Sequence, residues 1–353
     1  MNNVSPELAA PFTTIPSAAP PSRAASLEAF RDAVAADMES VDTVIRARLK
    51  SEVVLINQIS EYIIGAGGKR LRPALVALTG NLMGASKAQT HEMAAVIEFI
   101  HTATLLHDDV VDESDLRRGR DTANATFGNA ASVLVGDFLY SRAFQMMVEV
   151  GSLRVMGVMA EATNIISEGE VLQLMNIRDP DIDEESYLRV VRYKTAKLFE
   201  AACRVGAILG NATASDEAAL SAYGTHIGTA FQLIDDVLDY SGDVSETGKN
   251  VGDDLVEGKP TLPLIFAMRE GTEAQRAQIR RAIEQGNTGD ETQQDATMEA
   301  VMSAIQATGA VDYARDAARA EAKLAADAIS HLPDSVYRDA LLQLCLFAVE
   351  RKF

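Results

Sequence analysis

Two cysteines in 353 residues, Cys203 and Cys345, are too few for a disulfide framework and lack the spacing of a metal site. Such usage points to a reducing, cytoplasmic compartment. The five histidines include no HExxH pair, which excludes the zinc-protease helix. Basic residues are outnumbered: 32 Lys and Arg stand against 51 Asp and Glu, for a formal charge of −19. A mean field of that sign repels phosphate, so nucleic acid and anionic membrane are excluded as electrostatic partners. No window approaches the ~18 uninterrupted apolar residues of a membrane-spanning helix. No basic amphipathic helix offers a surface anchor either.

Proline is missing where helices need it missing. None occurs between Pro73 and Pro180, or between Pro180 and Pro260, and five of the ten fall at Pro6, Pro11, Pro16, Pro20 and Pro21. That first tract, rich in Ala, Ser and Thr, buries too little apolar surface to offset its ordering entropy, so residues 1–25 read as a mobile tail. It has no apolar h-region, carries Glu7 and has no basic residue before Arg23, unlike a targeting peptide. The proline-free stretches are dense in Ala, Leu, Met and Glu, with apolar residues at three- and four-residue steps, the amphipathic helix period. Ser86 with Gln89 has capping-box spacing. Asp183-Glu184-Glu185 and Ser215-Asp216-Glu217 open two further helices, the second reaching Tyr240. Sustained period-two alternation is absent. The polar run at 284–297 reads as a surface loop. The expected architecture is all-α, one large helical domain from residue 26 to 353.

The chemistry-bearing residues cluster. Asp108-Asp109-Val110-Val111-Asp112 ends one apolar helix, and Asp235-Asp236-Val237-Leu238-Asp239 ends another. In each, the outer aspartates stand at i and i+4, so both carboxylates project from one face and repel. Solvated helix ends in an acidic protein would be the bland explanation. A hard divalent cation is the sharper one, because Mg²⁺ takes one or two carboxylates and keeps water and phosphate oxygens. Basic residues around the clusters favour the metal. Gly67-Gly68-Lys69-Arg70-Leu71-Arg72-Pro73 allows close backbone approach before a helix start and carries three cations, a combination suited to diphosphate oxygens. Arg117-Arg118-Gly119-Arg120 follows the first cluster. His101 precedes Asp108 by seven residues, two turns back on nearly the same face and ~10 Å away by helical rise. His107 has no such register and reads as structural. Lys194-Thr195 falls mid-helix, Gln232 stands three residues before Asp235, and Lys249 and Lys259 sit among carboxylates. Two metal-binding carboxylate clusters ringed by Lys and Arg fit one or two diphosphates bridged by Mg²⁺.

These motifs resemble those of the trans-isoprenyl diphosphate synthases. The carriers are the two Asp-rich runs, Gly-Gly-Lys-Arg-Leu-Arg-Pro, Lys194-Thr195 and Phe231-Gln232-Leu233-Ile234-Asp235-Asp236. The likeness extends from about residue 30 to the C-terminus. Within the family, the runs 101–115 and 128–137 are most similar to the bacterial octaprenyl diphosphate synthases. The resemblance implies an isoprenoid synthase fold, a bundle of long helices around a central cavity, and a homodimer. It implies Asp108, Asp112 and Asp235 as principal Mg²⁺ ligands, with Asp109, Asp236 and Asp239 supporting. It assigns Lys69, Arg72, His101 and Arg118 to isopentenyl diphosphate. It assigns Arg117, Lys194, Thr195, Gln232, Lys249 and Lys259 to the allylic diphosphate, farnesyl diphosphate being the expected primer. Of these, Lys194, Thr195 and Gln232 would be the catalytic residues.

Metal and lysines would stabilise the departing diphosphate, the allylic C–O bond would ionise, and the isopentenyl double bond would attack the carbocation. Chain length depends on the space below the first aspartates. Ala103 and Thr104, one turn back from Asp108, leave a tunnel open where Phe or Tyr would close it. Met147 and Met159 are expected near its floor, giving a long-chain product for a quinone side chain and transient membrane proximity. A class I terpene cyclase would not need the second diphosphate site, and a non-catalytic subunit of a heteromeric synthase would carry a damaged aspartate cluster.

Overall fold

The computed structural model describes residues 23–65, 67–117, 119–241, 252–286 and 291–350, with side chains described within those ranges except at 23–29 and 291–295. The 1–25 tail therefore lies outside the described residues as far as residue 22, and α1 already begins at Arg23. Helices follow one another: α1 (Arg23–Arg48), α2 (Val54–Gly65), α3 (Leu71–Leu82), α4 (Lys87–Val111), α5 (Ala123–Phe127), α6 (Asn129–Val150) and α7 (Leu153–Asn176). One long helix is next, built of α8 (Glu184–Val190), a π-helical turn (Val191–Ala196) and α9 (Lys197–Leu209). The rest are α10 (Ala214–Ser241), α11 (Asp253–Val256), α12 (Leu262–Glu270), α13 (Glu273–Gln285), α14 (Glu291–Thr308), α15 (Ala310–Ala328) and α16 (Val336–Glu350). The all-α expectation holds. Extended structure among the described residues is a two-residue antiparallel pair, Leu116–Arg117 with Arg120–Asp121, in the turn after α4.

α10 is central because little of it reaches solvent. Leu220, Tyr223, Ile227, Ala230, Leu233, Ile234 and Val237 form one buried apolar face, and no residue from Ala219 to Ile234 is exposed. It packs against α9, the π turn and α15. The main core joins α1, α3, α4, α6, α7, α9 and α16, while a smaller one gathers Leu264, Ile279, Ile283, Val301 and Ile305 of α12–α14. Cys203 and Cys345 are both buried thiols in the main core.

Helix starts follow local chemistry, with two corrections. Asp183 caps α8, its Oδ1 accepting from the Ser186 N–H at 2.8 Å. α10 begins one residue before the Ser215 start, and Thr213 supplies the oxygen that receives the Asp216 N–H. Ser86 does occupy the N-cap of α4, but its side chain makes no cap hydrogen bond. A complete capping box forms instead at Thr272 and Gln275 of α13. The 284–297 loop is also shorter than expected. α13 ends at Gln285 and α14 starts at Glu291, so much of that polar run is helical. Helix is favoured there once Val301, with Met298 and Met302 partly buried beside it, packs against the smaller core.

Candidate active site

The ends of α4, α7, α8, α10 and α11, together with the π turn, surround a cavity of about 650 Å³. Charged side chains share its lining with apolar ones, among them Leu105, Ile166, Leu198 and Phe231. Asp108 and Asp112 both face it from the last turn of α4, as the i, i+4 spacing requires, and Asp235 faces it from α10. Arg72, His101, Thr104, Arg117, Lys194, Thr195, Gln232, Asp236 and Lys259 share the lining. Residues from sequence positions 72 to 259 thus meet at one place.

The remaining candidates take other positions. Asp109 is buried and held by Arg117, whose Nη2 and Nε lie 2.6 and 2.8 Å from its Oδ1. Asp239 lies off the lining and accepts the Asp254 N–H at 3.3 Å. Lys69 is also off the lining, with its Nζ 6.0 Å from the Phe231 ring centre and 5.9 Å from that of Phe347. Arg118 and Lys249 lie outside the described residues. Ala103, Met147 and Met159 are fully buried in the main core rather than in the cavity wall. Met159 lies two turns from the cavity-lining Ile166 on the same face of α7, about 10 Å along the axis. His107 stacks on Tyr140, with ring centres 6.2 Å apart.

Cations already neutralise the first aspartate cluster. Lys194 Nζ lies 3.5 Å from Asp108 Oδ2, and Lys259 Nζ lies 3.0 Å from Asp112 Oδ2. Burial pushes the Asp108 carboxyl up and Asp112 adds to it, with Lys194 opposing. Burial alone would lower Lys259, but Asp112 and Glu257 outweigh it and hold the ammonium above its ordinary range. The guanidinium carbon of Arg72 lies over the Phe199 ring, 4.5 Å from its centre, and its Nη1 lies 3.1 Å from His101 Nε2. A cation–π contact of this kind holds the guanidinium in place at the cavity.

A second chain of contacts orients Gln232. Its Oε1 accepts from Thr195 Oγ1 at 3.0 Å, and its Nε2 donates to Asp236 Oδ1 at 2.8 Å. Tyr187 donates to the other oxygen of Asp236. Burial drives the Asp236 carboxyl well up, the Asp254 charge adds to this, and the two hydrogen bonds oppose it. Asp236 is thus engaged with Tyr187 and Gln232, whereas Asp235 is the more exposed member of the pair.

Sequence reasoning missed Glu170, Glu257, Tyr187, Asp253 and Asp254, all of which line the cavity. Asp253 and Asp254 stood beside the noted lysines and could have been found by proximity. Glu170 and Tyr187 carry no motif signal. They reach the site because the π turn lies between α7 and α10, where Gly169 and Gly228 admit its backbone. A Cβ at Gly169 would come within 2.7 Å of Lys194 N, and one at Gly228 within 2.7 Å of Ala196 Cα. Glu170 then accepts from Lys194 Nζ at 2.6 Å. Burial, opposed by Lys194 and reinforced by Asp108, pushes its carboxyl up to about 7.

The donors suit Mg²⁺ rather than a soft metal. Asp108, Asp112 and Asp235 offer hard oxygens to one cavity. Among the described residues no three His, Cys, Asp or Glu side chains already converge as a cage.

Residues 53–301 match the polyprenyl synthetase family model. The octaprenyl diphosphate synthase of Escherichia coli K12 is 54% identical over 326 residues, covering 92% of this chain and 99% of that protein. The all-trans-nonaprenyl-diphosphate synthase (geranyl-diphosphate specific) of Rhodobacter capsulatus is 44% identical, over 90% of this chain and 96% of its own. A crystal structure of polyprenyl synthase from Caulobacter crescentus CB15, complexed with calcium and isoprenyl diphosphate, superposes with a TM-score of 0.88 at 42% identity. It covers 93% of this chain and 98% of that one. With the aspartate clusters, Lys194 and Lys259 meeting at one cavity, the chain belongs to the polyprenyl synthetase family and is a prenyltransferase.

Proposed function

We propose that the chain is a long-chain all-trans-polyprenyl diphosphate synthase that adds isopentenyl diphosphate units to farnesyl diphosphate, with octaprenyl diphosphate as product. One observation carries the reading. A single cavity joins carboxylates for metal, cations for diphosphate and apolar side chains for a growing hydrocarbon. The 54% identity with an octaprenyl diphosphate synthase supports the chain length.

Asp108, Asp112 and Asp235 would hold Mg²⁺, which when bound neutralises a departing diphosphate. Lys194 and Lys259 grip oxygens of the same allylic diphosphate, joined by Arg117 and Lys249. Lys69, Arg72, His101 and Arg118 hold isopentenyl diphosphate. Loss of diphosphate leaves an allylic cation, and the isopentenyl double bond forms the new C–C bond to its C1. A proton then leaves the condensed product for the released diphosphate. Gln232, held between Thr195 and Asp236, keeps a fixed amide in the lining of the same cavity. Fixed dipoles and charges of this kind need no reorganisation during reaction.

The enzyme is proposed to work as a cytoplasmic homodimer that supplies quinone side chains and meets a membrane only through its lipid product. Among the described residues no helix is long and apolar enough to cross a membrane. Neither the cyclase nor the non-catalytic reading gains support, since both aspartate clusters are intact. Incubation of the purified chain with Mg²⁺, isopentenyl diphosphate and farnesyl diphosphate, read by chromatography, is the test. Elongated diphosphates are expected. A cyclised hydrocarbon, or no turnover, would overturn the proposal.

A further inference from the structure

Two lysines are held at the first aspartate cluster in the same way, although they come from distant parts of the chain. Lys194 Nζ lies 2.6 Å from Glu170 Oε2 and 3.5 Å from Asp108 Oδ2. Lys259 Nζ lies 2.5 Å from Glu257 Oε2 and 3.0 Å from Asp112 Oδ2. Each ammonium spans one aspartate and one glutamate, and in both cases the glutamate is nearer. Neither glutamate belongs to an aspartate motif, yet both line the cavity. Their backbones are well fixed. Glu170 follows the Gly169 contact on α7. Glu257 and Lys259 sit in a tight turn, their N–H groups donating to the Asp253 and Asp254 carbonyls at 3.0 and 2.8 Å.

We infer that Glu170 and Glu257 are positioning residues that serve as alternative counter-ions for Lys194 and Lys259 when divalent metal takes Asp108 and Asp112. Without metal, each lysine neutralises the aspartate that metal must occupy. Loading therefore has to move two ammonium groups away from two carboxylates. An ammonium displaced into a cavity with no other acceptor would face the incoming dication unpaired, at a high cost in a partly buried site. The glutamates remove that conflict. A lysine ammonium has three donors on a flexible stem, so it can give up the aspartate while keeping the glutamate contact it already makes. It then remains on the cavity wall, where an allylic diphosphate would arrive. This inference rests on the Mg²⁺–diphosphate reading of the site.

Mn²⁺ binding to the substrate-free full chain, followed by electron paramagnetic resonance, tests it without reference to turnover. Glu170→Gln and Glu257→Gln are each expected to weaken Mn²⁺ binding roughly three- to tenfold, the scale of one partly buried charge interaction. Glu170→Asp and Glu257→Asp discriminate between charge and position. They keep the carboxylate but shorten its reach by one methylene, and they are expected to recover only part of the loss. Unchanged affinity in both glutamine variants would overturn the inference. So would full recovery in both aspartate variants, because bulk charge would then suffice. If Glu170→Gln lost its helical circular dichroism, the Glu257 pair would decide the matter on its own. Wild-type chain that binds no Mn²⁺ would overturn the proposed function and this inference together, whereas wild-type binding with unaffected variants would remove this inference alone.

Discussion

Lys259 Nζ lies 3.0 Å from Asp112 Oδ2, although the two residues are 147 positions apart in the chain. The contact shows how a chain of net charge −19 can build an anion site. Its acid excess is met locally, Lys259 standing against Asp112, Lys194 against Asp108 and Arg117 against Asp109. The field that a substrate meets is set by these neighbours within a few ångströms. Net charge governs only the longer-range, screened field.

If Asp108 is a principal metal ligand, Asp108→Ala abolishes chain elongation while leaving the fold intact. The loss should exceed the ~10–100-fold cost of disturbing a mere outer partner of a metal ligand. Radiolabelled isopentenyl diphosphate incorporation measures the loss, and far-ultraviolet circular dichroism the fold. Near-normal turnover would sink the metal assignment.

Met147 and Met159 are fully buried in the main core. Shortening either to alanine should open space below the cavity and shift the product distribution to longer chains. Each truncation should also cost about 2–5 kcal/mol of stability, as buried Met→Ala changes do. Chromatography of the products together with urea denaturation would separate the two effects. Unchanged products from both variants would place the tunnel floor elsewhere.

Gly169→Ala should be disproportionately harmful for one methyl group. The added Cβ would meet Lys194 N at 2.7 Å and Tyr193 Cβ at 2.9 Å. Overpacking of this kind costs about 1–3 kcal/mol, and here it would push the π turn that carries Lys194 and Thr195. A fall in denaturation midpoint with a larger KM for the allylic substrate is expected. A variant as stable and as active as wild type would show that α7 can retreat without cost.

Glu170 supplies a pH dependence whose sign can be worked out. Its folded value of about 7 lies above the ordinary 4.5, so between these the native state holds a proton that the unfolded state has lost. The stability this group contributes is therefore present at low pH and declines as pH rises through 7. Glutamine mimics the protonated form. Metal-free Glu170→Gln should thus gain thermal stability relative to wild type as pH rises from about 5 to about 8. A difference that stays flat across that range would contradict the shifted value.

Much of the site was legible because helical register is a local property. The i, i+4 spacing put Asp108 and Asp112 on one face, and the seven-residue step put His101 on the same wall. Gln232 and Asp235 share the cavity for the same reason. Register did less well one residue away: Thr104 lines the cavity, whereas Ala103 points into the core. The 284–297 run was misread because polarity alone does not separate a loop from an exposed helix.

The sequence by itself determined the helical class, the two aspartate clusters and the basic residues around them, since each depends on residues within a few positions of one another. Only the tertiary structure decided which cation meets which carboxylate, and that Glu170, Glu257 and Tyr187 belong to the site. It also placed a π turn between Gly169 and Gly228. Those outcomes depend on contacts between helices remote in the chain, where packing and charge pairing choose the partner and no local pattern records the choice.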